Sequence, residues 1–215
     1  MTQEPAPTTL PAGQFAALRS PTAWAILVLV FAIGLTADLV TKSVAWSHFV
    51  DDAVRVDGRI RLMRTPADDI TVVEHVLRLT AVPNEGAAMG LGQGRRLPFM
   101  VVSLVASGVL LYFFATSGRR KWHQVLLGLL LAGVIGNFYD RLVHEYVRDM
   151  IYAFPGVEWS DLIGSLPSKE VFPWVFNLAD VYLCVGVTIV IAWSILFGGR
   201  DEAETPVVET GTVRE

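Results

Sequence analysis

The apolar positions of this chain fall in long blocks rather than at amphipathic spacing. Four stretches hold no Asp, Glu, Lys or Arg: residues 20–37, 97–118, 122–139 and 181–199, each 18 to 22 residues long. About 20 apolar residues at a 1.5 Å rise cross the hydrocarbon core of a bilayer. Backbone polar groups in lipid must be satisfied within their own segment, so the blocks predict helices. The expected spans are 21–47, 97–117, 122–142 and 173–199. Trp24, Trp46, Trp122, Trp174 and Trp193 stand at or near the block ends, where an aromatic belt places them.

Between the blocks the pattern changes. Val54 to Met63 alternates apolar and polar residues around Asp57-Gly58, which predicts a β-hairpin. Val72, Val73, Val76, Leu79 and Val82 extend the β-rich character up to Pro83. The fold class is therefore membrane α-helical: four transmembrane helices with a small β-rich extracytoplasmic platform, residues 48–96, between helices one and two. The second outer segment, 143–172, holds Trp159, Pro155 and Pro167 and is expected to be a loop with a short helix. Polar tails cover 1–20 and 200–215.

The 118–121 loop, Gly-Arg-Arg-Lys, is short and carries three positive charges, which marks it as cytoplasmic. Both termini then lie in the cytoplasm and both long connections outside. The first outer connection pulls the other way, with seven arginines balanced by seven acids. Arg19 and Leu35-Thr36-Ala37 raise the alternative of a cleavable signal. The long flank before the first block and its continuation to Trp46 favour an anchor.

Composition agrees. The chain has 215 residues, 53% hydrophobic and 18% charged, whereas soluble domains carry about 25% charged residues. A net charge of −4 without a long basic block argues against a nucleic-acid partner. Cys184 is the sole cysteine, which excludes a disulfide framework; it is expected to be a small buried residue. The four histidines have no ligand spacing, so no metal is assigned.

Ionisable groups within or beside a span cost roughly 2.5–3.5 kcal/mol each on insertion scales and need a reason. They are Asp38, Lys42, Asp140, Arg141, Asp149 and Asp180, and run lengths gather them near the outer interface. Asp38 and Lys42 are spaced i,i+4 and can pair. Gly133, Asn137 and Arg141 form one stripe, and Asn177 shares a face with Asp180. Plain structural readings exist: an interfacial ion pair, an Arg141 snorkelling to headgroups, and asparagines as interhelical glue. Asp180 has no basic residue on its own helix. If Asp149 folds back to the interface, the two carboxylates meet, one keeping a proton while the other acts as a base. Other readings are a Lys42–Ser43 peptidase, a transporter or channel subunit using Asp38, Arg141 and Asp180, and a non-enzymatic scaffold.

Four segments together resemble the motifs of bacterial lipoprotein signal peptidase, signal peptidase II. They are Asp38-Leu-Val-Thr-Lys42, Asn84-Glu-Gly-Ala-Ala-Met-Gly90, Gly136-Asn-Phe-Tyr-Asp-Arg141 and Phe176-Asn-Leu-Ala-Asp180. The resemblance covers about residues 22–198. It implies an intramembrane aspartic endopeptidase of the inner membrane, with Asp149 and Asp180 activating water and no cofactor. Asp140 would then be a supporting residue. Asn84, Asn137, Arg141 and Asn177 would hold substrate and dyad, Asp38 and Lys42 would brace the site, and Gly86 and Gly133 would allow close approach. The implied substrate is a diacylglyceryl-modified prolipoprotein, cut before its lipidated cysteine at the outer membrane face. Membrane lipid is the other expected partner, and a monomer the expected unit. Met89 stands where the family pattern has Phe, Ala132 where a glycine is common, and both outer segments are long for the family.

Overall fold

The computed structural model describes residues 15–86, 94–118, 120–162 and 169–197. Most of both polar tails, the Ala87–Gly90 half of the second motif, Arg119 and Pro167 lie outside them. Among the described residues four helices are long and apolar enough to cross a membrane: α1 (Pro21–Phe49), α2 (Arg96–Thr116), α3 (Lys121–Val143) and α5 (Leu178–Phe197). A single-turn helix, α4 (Trp159–Leu162), lies between α3 and α5.

α1 starts where Ser20 Oγ accepts from Ala23 N at 3.3 Å, with Pro21 at the first helical position, where its missing N–H costs nothing. Its buried positions, Ala23, Leu27, Gly34, Asp38 and Lys42, form one stripe. Val28, Leu29, Ile33, Val40 and Val44 are exposed, an apolar surface suited to lipid. α3 is the central helix, packed against α1, α2 and α5. Small residues let the backbones approach. A Cβ on Gly133 would lie 2.7 Å from the Ala179 carbonyl oxygen, and one on Gly136 would lie 2.3 Å from Asp38 Oδ2. At the end where α2 turns into α3, Ala17, Ala23, Leu27, Phe114 and Leu127 make an apolar cluster, with Trp24 edge-on to Phe114.

At the other end lie the strands. β1 (Val50–Val56) continues directly from α1 and pairs with β2 (Arg59–Arg64). Asp57 and Gly58 between them both have positive φ, as a two-residue type I′ turn requires. The second sheet is antiparallel, in the order β3 (Ile70–Val73), β4 (Leu77–Asn84), β5 (Val147–Ala153), β6 (Val175–Phe176). The β region between helices one and two is thus completed by strands from two later segments. β5 carries Arg148 and Asp149 near its start, so it has no strand-like alternation, and its partner β4 is remote in sequence. α5 starts at Leu178 rather than 173, because Val175 and Phe176 pair with Tyr152 and Ile151. Cys184, expected to be buried, is exposed on α5; the close approach to α3 falls instead at Gly186, where a Cβ would be 2.5 Å from Leu130 Cδ2.

Overpacking a tight contact costs about 1–3 kcal/mol. Gly133→Ala should therefore lower the thermal unfolding midpoint in detergent. Gly108→Ala, on α2 with open space around it, should hold or raise the midpoint through its better helix propensity. Equal midpoints for the two variants would mean that α3 and α5 do not meet at Gly133.

Candidate active site

Helical spacing puts Asp38 and Lys42 one turn apart on the buried stripe of α1. Lys42 Nζ donates to Asp38 Oδ2 at 2.8 Å and to Asn137 Oδ1 on α3 at 3.0 Å. It also lies 3.4 Å from Asp140 Oδ2. The other oxygen of Asp38 accepts from Ala179 N at 2.9 Å, tying α1 to the first turn of α5. Lys42, Asp38 and Asp140 are all fully buried, so each charge depends on these partners.

The end of α3 presents Asn137, Asp140 and Arg141. Arg141 turns inward rather than toward headgroups. Its Nη2 donates to the Gly86 carbonyl at 2.9 Å, its Nη1 to the Asn137 carbonyl at 3.2 Å, and its guanidinium lies 5.3 Å from the Phe99 ring centroid. Arg141 thereby links α3, α2 and the chain leaving β4. Asp140 receives Arg148 of β5: Nε at 3.0 Å and Nη2 at 2.8 Å on Oδ1, and the backbone N–H at 2.9 Å on Oδ2.

Neighbouring strand residues face opposite ways, so Arg148 turns to Asp140 while Asp149 turns to the asparagines. Asp149 Oδ2 accepts from Asn84 Nδ2 at 3.0 Å and its Oδ1 from Asn177 Nδ2 at 2.7 Å. Asn84 Oδ1 accepts from Gly86 N at 3.0 Å, bending the chain just past β4. Asn177 and Asp180 make a reciprocal capping box at the start of α5. Asp180 N donates to Asn177 Oδ1 and Asn177 N donates to Asp180 Oδ2, both at 3.1 Å. The other Asp180 oxygen accepts from Asn137 Nδ2 at 2.9 Å. Asn177 Nδ2 also reaches Asn137 Oδ1 at 3.2 Å. Asn177 therefore touches both carboxylates and Asn137.

The two carboxylates differ. Asp149 is 2% exposed, whereas Asp180 is half-buried. Burial first, and then the Asp180 charge, push the Asp149 carboxyl from its ordinary 3.8 up to about 7 against the opposing hydrogen bonds from Asn177 and Asn84. Charge balance points the same way: Asp38, Asp140, Asp149 and Asp180 face Lys42, Arg141 and Arg148. One proton on the carboxylates evens the two sides.

The structure brings together Asp38, Lys42, Asn84, Asn137, Asp140, Arg141, Asp149, Asn177 and Asp180, with Gly133 as the α3–α5 contact and Gly86 as an acceptor for Arg141. Arg148 was missed. It follows no periodicity, and only its position beside Asp149 could have drawn attention. The ion pairs of the β1–β2 hairpin were missed as well. Ile60 N donates to Glu85 Oε1 at 2.7 Å, and Arg55 lies 3.3 Å from Glu85 and 3.0 Å from Glu145. Arg96, at the start of α2, pairs with Glu145 at 2.7 Å. The hairpin is thus fastened across the bundle from the end of α1 to the start of α2. Among the described residues no His, Cys, Asp or Glu cluster could hold a metal.

A bundle of membrane-length helices, closed at one end by a sheet that seats paired carboxylates, is the architecture of a multi-pass membrane enzyme. A solved bacterial membrane enzyme, obtained by the in meso method at 2.3 Å resolution, superposes with a TM-score of 0.60 and 27% identity, over 84% of this chain and 93% of that one. The family model of signal peptidase II matches residues 30–197, and this chain belongs to that family. The lipoprotein signal peptidase of Shouchella clausii is 36% identical over 134 residues, 62% of this chain and 78% of the relative. That of Latilactobacillus sakei is 40% identical over 121 residues, 56% of this chain and 70% of the relative. The protein is accordingly a peptidase and a multi-pass protein of the bacterial inner membrane. The transporter alternative finds no support in these likenesses.

The folded chain holds the Asp149 proton more tightly than the unfolded chain does. Folding therefore takes up a proton between the ordinary value of 3.8 and about 7, and stability falls as pH rises through that window. Asp149→Asn carries no such proton. It should flatten the slope of unfolding midpoint against pH and melt above wild type on the alkaline side. A wild-type slope retained in the variant would show that the Asp149 carboxyl is not the group held protonated.

Proposed function

We propose that the chain is an aspartic endopeptidase that removes the signal peptide from diacylglyceryl-modified prolipoproteins, cutting just before the lipidated cysteine. The observation that carries this reading is the pairing of Asp149 with Asp180 across Asn177, one carboxyl buried and raised to about 7, the other half-buried. In the proposed step Asp180 takes a proton from a water whose oxygen attacks the scissile carbonyl carbon. Asp149 gives its proton to the carbonyl oxygen, forming a tetrahedral diol. The C–N bond then breaks as the proton held by Asp180 passes to the leaving nitrogen. A diol proton returns to Asp149, leaving a carboxyl on the signal peptide and a free amine on the lipidated cysteine. The chemistry requires no cofactor.

The surroundings suit these roles. Asn84 and Asn177 fix the two oxygens of Asp149, and Asn137 orients Asp180. Lys42 and Asp38 brace Asn137, and Arg141 with Gly86 shapes the wall on which substrate backbone would lie. Asp140 acts as support, being occupied by Arg148 and Lys42. The outer face is the side proposed for the site. The basic 118–121 loop joins α2 to α3 at the opposite end, and four spans return both termini to the cytoplasm. A diacylglyceryl anchor would hold the scissile bond at headgroup level, the depth of the sheet. One chain contains all these groups, which supports a monomer as the working unit.

The test is cleavage of a purified lipid-modified prolipoprotein in detergent or bilayer. Asp149→Asn and Asp180→Asn should remain folded and lose roughly 10²–10⁴-fold in rate, the usual contribution of a general acid or base. Asp140→Asn should keep part of its activity. Wild-type activity against pH should be bell-shaped, with two apparent values belonging to the coupled pair. Wild-type rates in Asp149→Asn would remove that residue from the dyad.

A further inference from the structure

Arg148 is a buried cation, 5% exposed, that the proposed chemistry does not use. Three of its donors reach Asp140: Nε at 3.0 Å, Nη2 at 2.8 Å and the backbone N–H at 2.9 Å. Its Nη1 is 3.4 Å from Ser43 Oγ on α1. The planar guanidinium and the backbone thus grip a carboxylate of α3 from the residue directly before Asp149. A guanidinium fork of this kind fixes direction as well as charge.

The consequence reaches the second aspartate through Lys42. Asp140 Oδ2 lies 3.4 Å from Lys42 Nζ, but the ammonium makes its hydrogen bonds to Asp38 at 2.8 Å and Asn137 Oδ1 at 3.0 Å. With its oxygen occupied by Lys42 and Asn177 Nδ2, Asn137 can turn only its amino group to Asp180, at 2.9 Å. Arg148 satisfies Asp140. Were it absent, Lys42, 3.4 Å away, would be left to pair with a fully buried carboxylate and would be drawn off Asn137, releasing the amide that orients Asp180.

We propose that Arg148 is a positioning residue of the active site. By gripping Asp140 it seats β5 so that Asp149 meets Asn84 and Asn177, and it leaves Lys42 free to fix the amide of Asn137 against Asp180. This deepens the aspartic-dyad reading and rests on it.

The experiment compares full-length wild type, Arg148→Met, Arg148→Lys and the double variant Asp140→Asn/Arg148→Met. The readouts are kcat, KM and the pH profile on lipid-modified prolipoprotein, normalised to folded protein. Asp149 is faced by Asp180 and Asn177 at the start of α5, Asn84 of β4, Lys42 of α1 and Arg141 of α3; none of these is substituted. Arg148→Met should lower kcat roughly 10- to 100-fold, the scale of a small misplacement of reacting groups. KM should stay within about twofold, and a limb of the pH profile should shift. Arg148→Lys, which keeps the charge but loses the fork, should recover part of kcat. The double variant should recover more than Arg148→Met, because no bare carboxylate then pulls on Lys42. Wild-type kcat and pH profile in folded Arg148→Met would overturn the proposal, as would a loss confined to the amount of folded protein. If Arg148→Met does not fold, Arg148→Lys decides in its place, and a wild-type kcat and pH profile there would overturn the proposal. Failure of wild type itself to cleave would sink the peptidase reading, and this one with it.

Discussion

A charge buried at the end of a membrane bundle has no water to stabilise it, so each one fixes the position of another group. Lys42 shows the constraint most plainly. Its ammonium is fully buried, bonded to Asp38 on its own helix and to Asn137 on α3, with Asp140 beside it. Asp38 in turn holds Ala179 N of α5. One side chain thereby sets the mutual position of three helices at the depth of the site. Gly136 is part of the same solution, since a Cβ there would collide with Asp38.

The same requirement gives the aspartate pair its asymmetry. Asp180 belongs to the capping box that begins α5, where the helix N-terminus favours negative charge. Asp149 lies on a strand, enclosed on every side, with two amide donors and a neighbouring carboxylate. Two identical side chains thus have different surroundings, one capping a helix and the other sealed inside a sheet. The asparagines hold both carboxylates in place. Asn177 touches both carboxylates, and Asn137 is held in one amide orientation by Lys42.

Around this centre the platform closes the bundle. β4 and β5 carry Asn84 and Asp149 as diagonal neighbours whose side chains are hydrogen-bonded, and β6 delivers the chain to Asn177. The β1–β2 hairpin spans from α1 to the start of α2 through Arg55, Glu145 and Arg96. Some of the arginines that disturb a charge-based topology are used in this way, as ion-pair partners of the platform. Arg64 is another, paired with Asp69.

The four spans were legible because lipid demands long charge-free helices, and residue spacing alone records that demand. The first hairpin was legible because Asp57-Gly58 can adopt a turn that most residue pairs cannot. The Asp38–Lys42 pair and the shared face of Asn177 and Asp180 followed from i,i+4 and i,i+3 spacing, a local property of helices. The position of Asp149 was left open by the pattern of the chain, and only the motif resemblance pointed to it. Its strand pairs with residues far away in sequence, so only tertiary structure decided that β5 exists and that Asp149 meets Asn84 and Asn177. Arg148 was invisible for the same reason, because its partner Asp140 is eight residues back on a helix and the turn between them has no spacing rule. Cys184 shows the converse error: its small apolar side chain suggested burial, but which face of α5 meets α3 was decided by the close approach at Gly133 and Gly186. Local periodicity determined the elements and the depth of the charges. Long-range pairing and the need to compensate each buried charge determined which of them became partners.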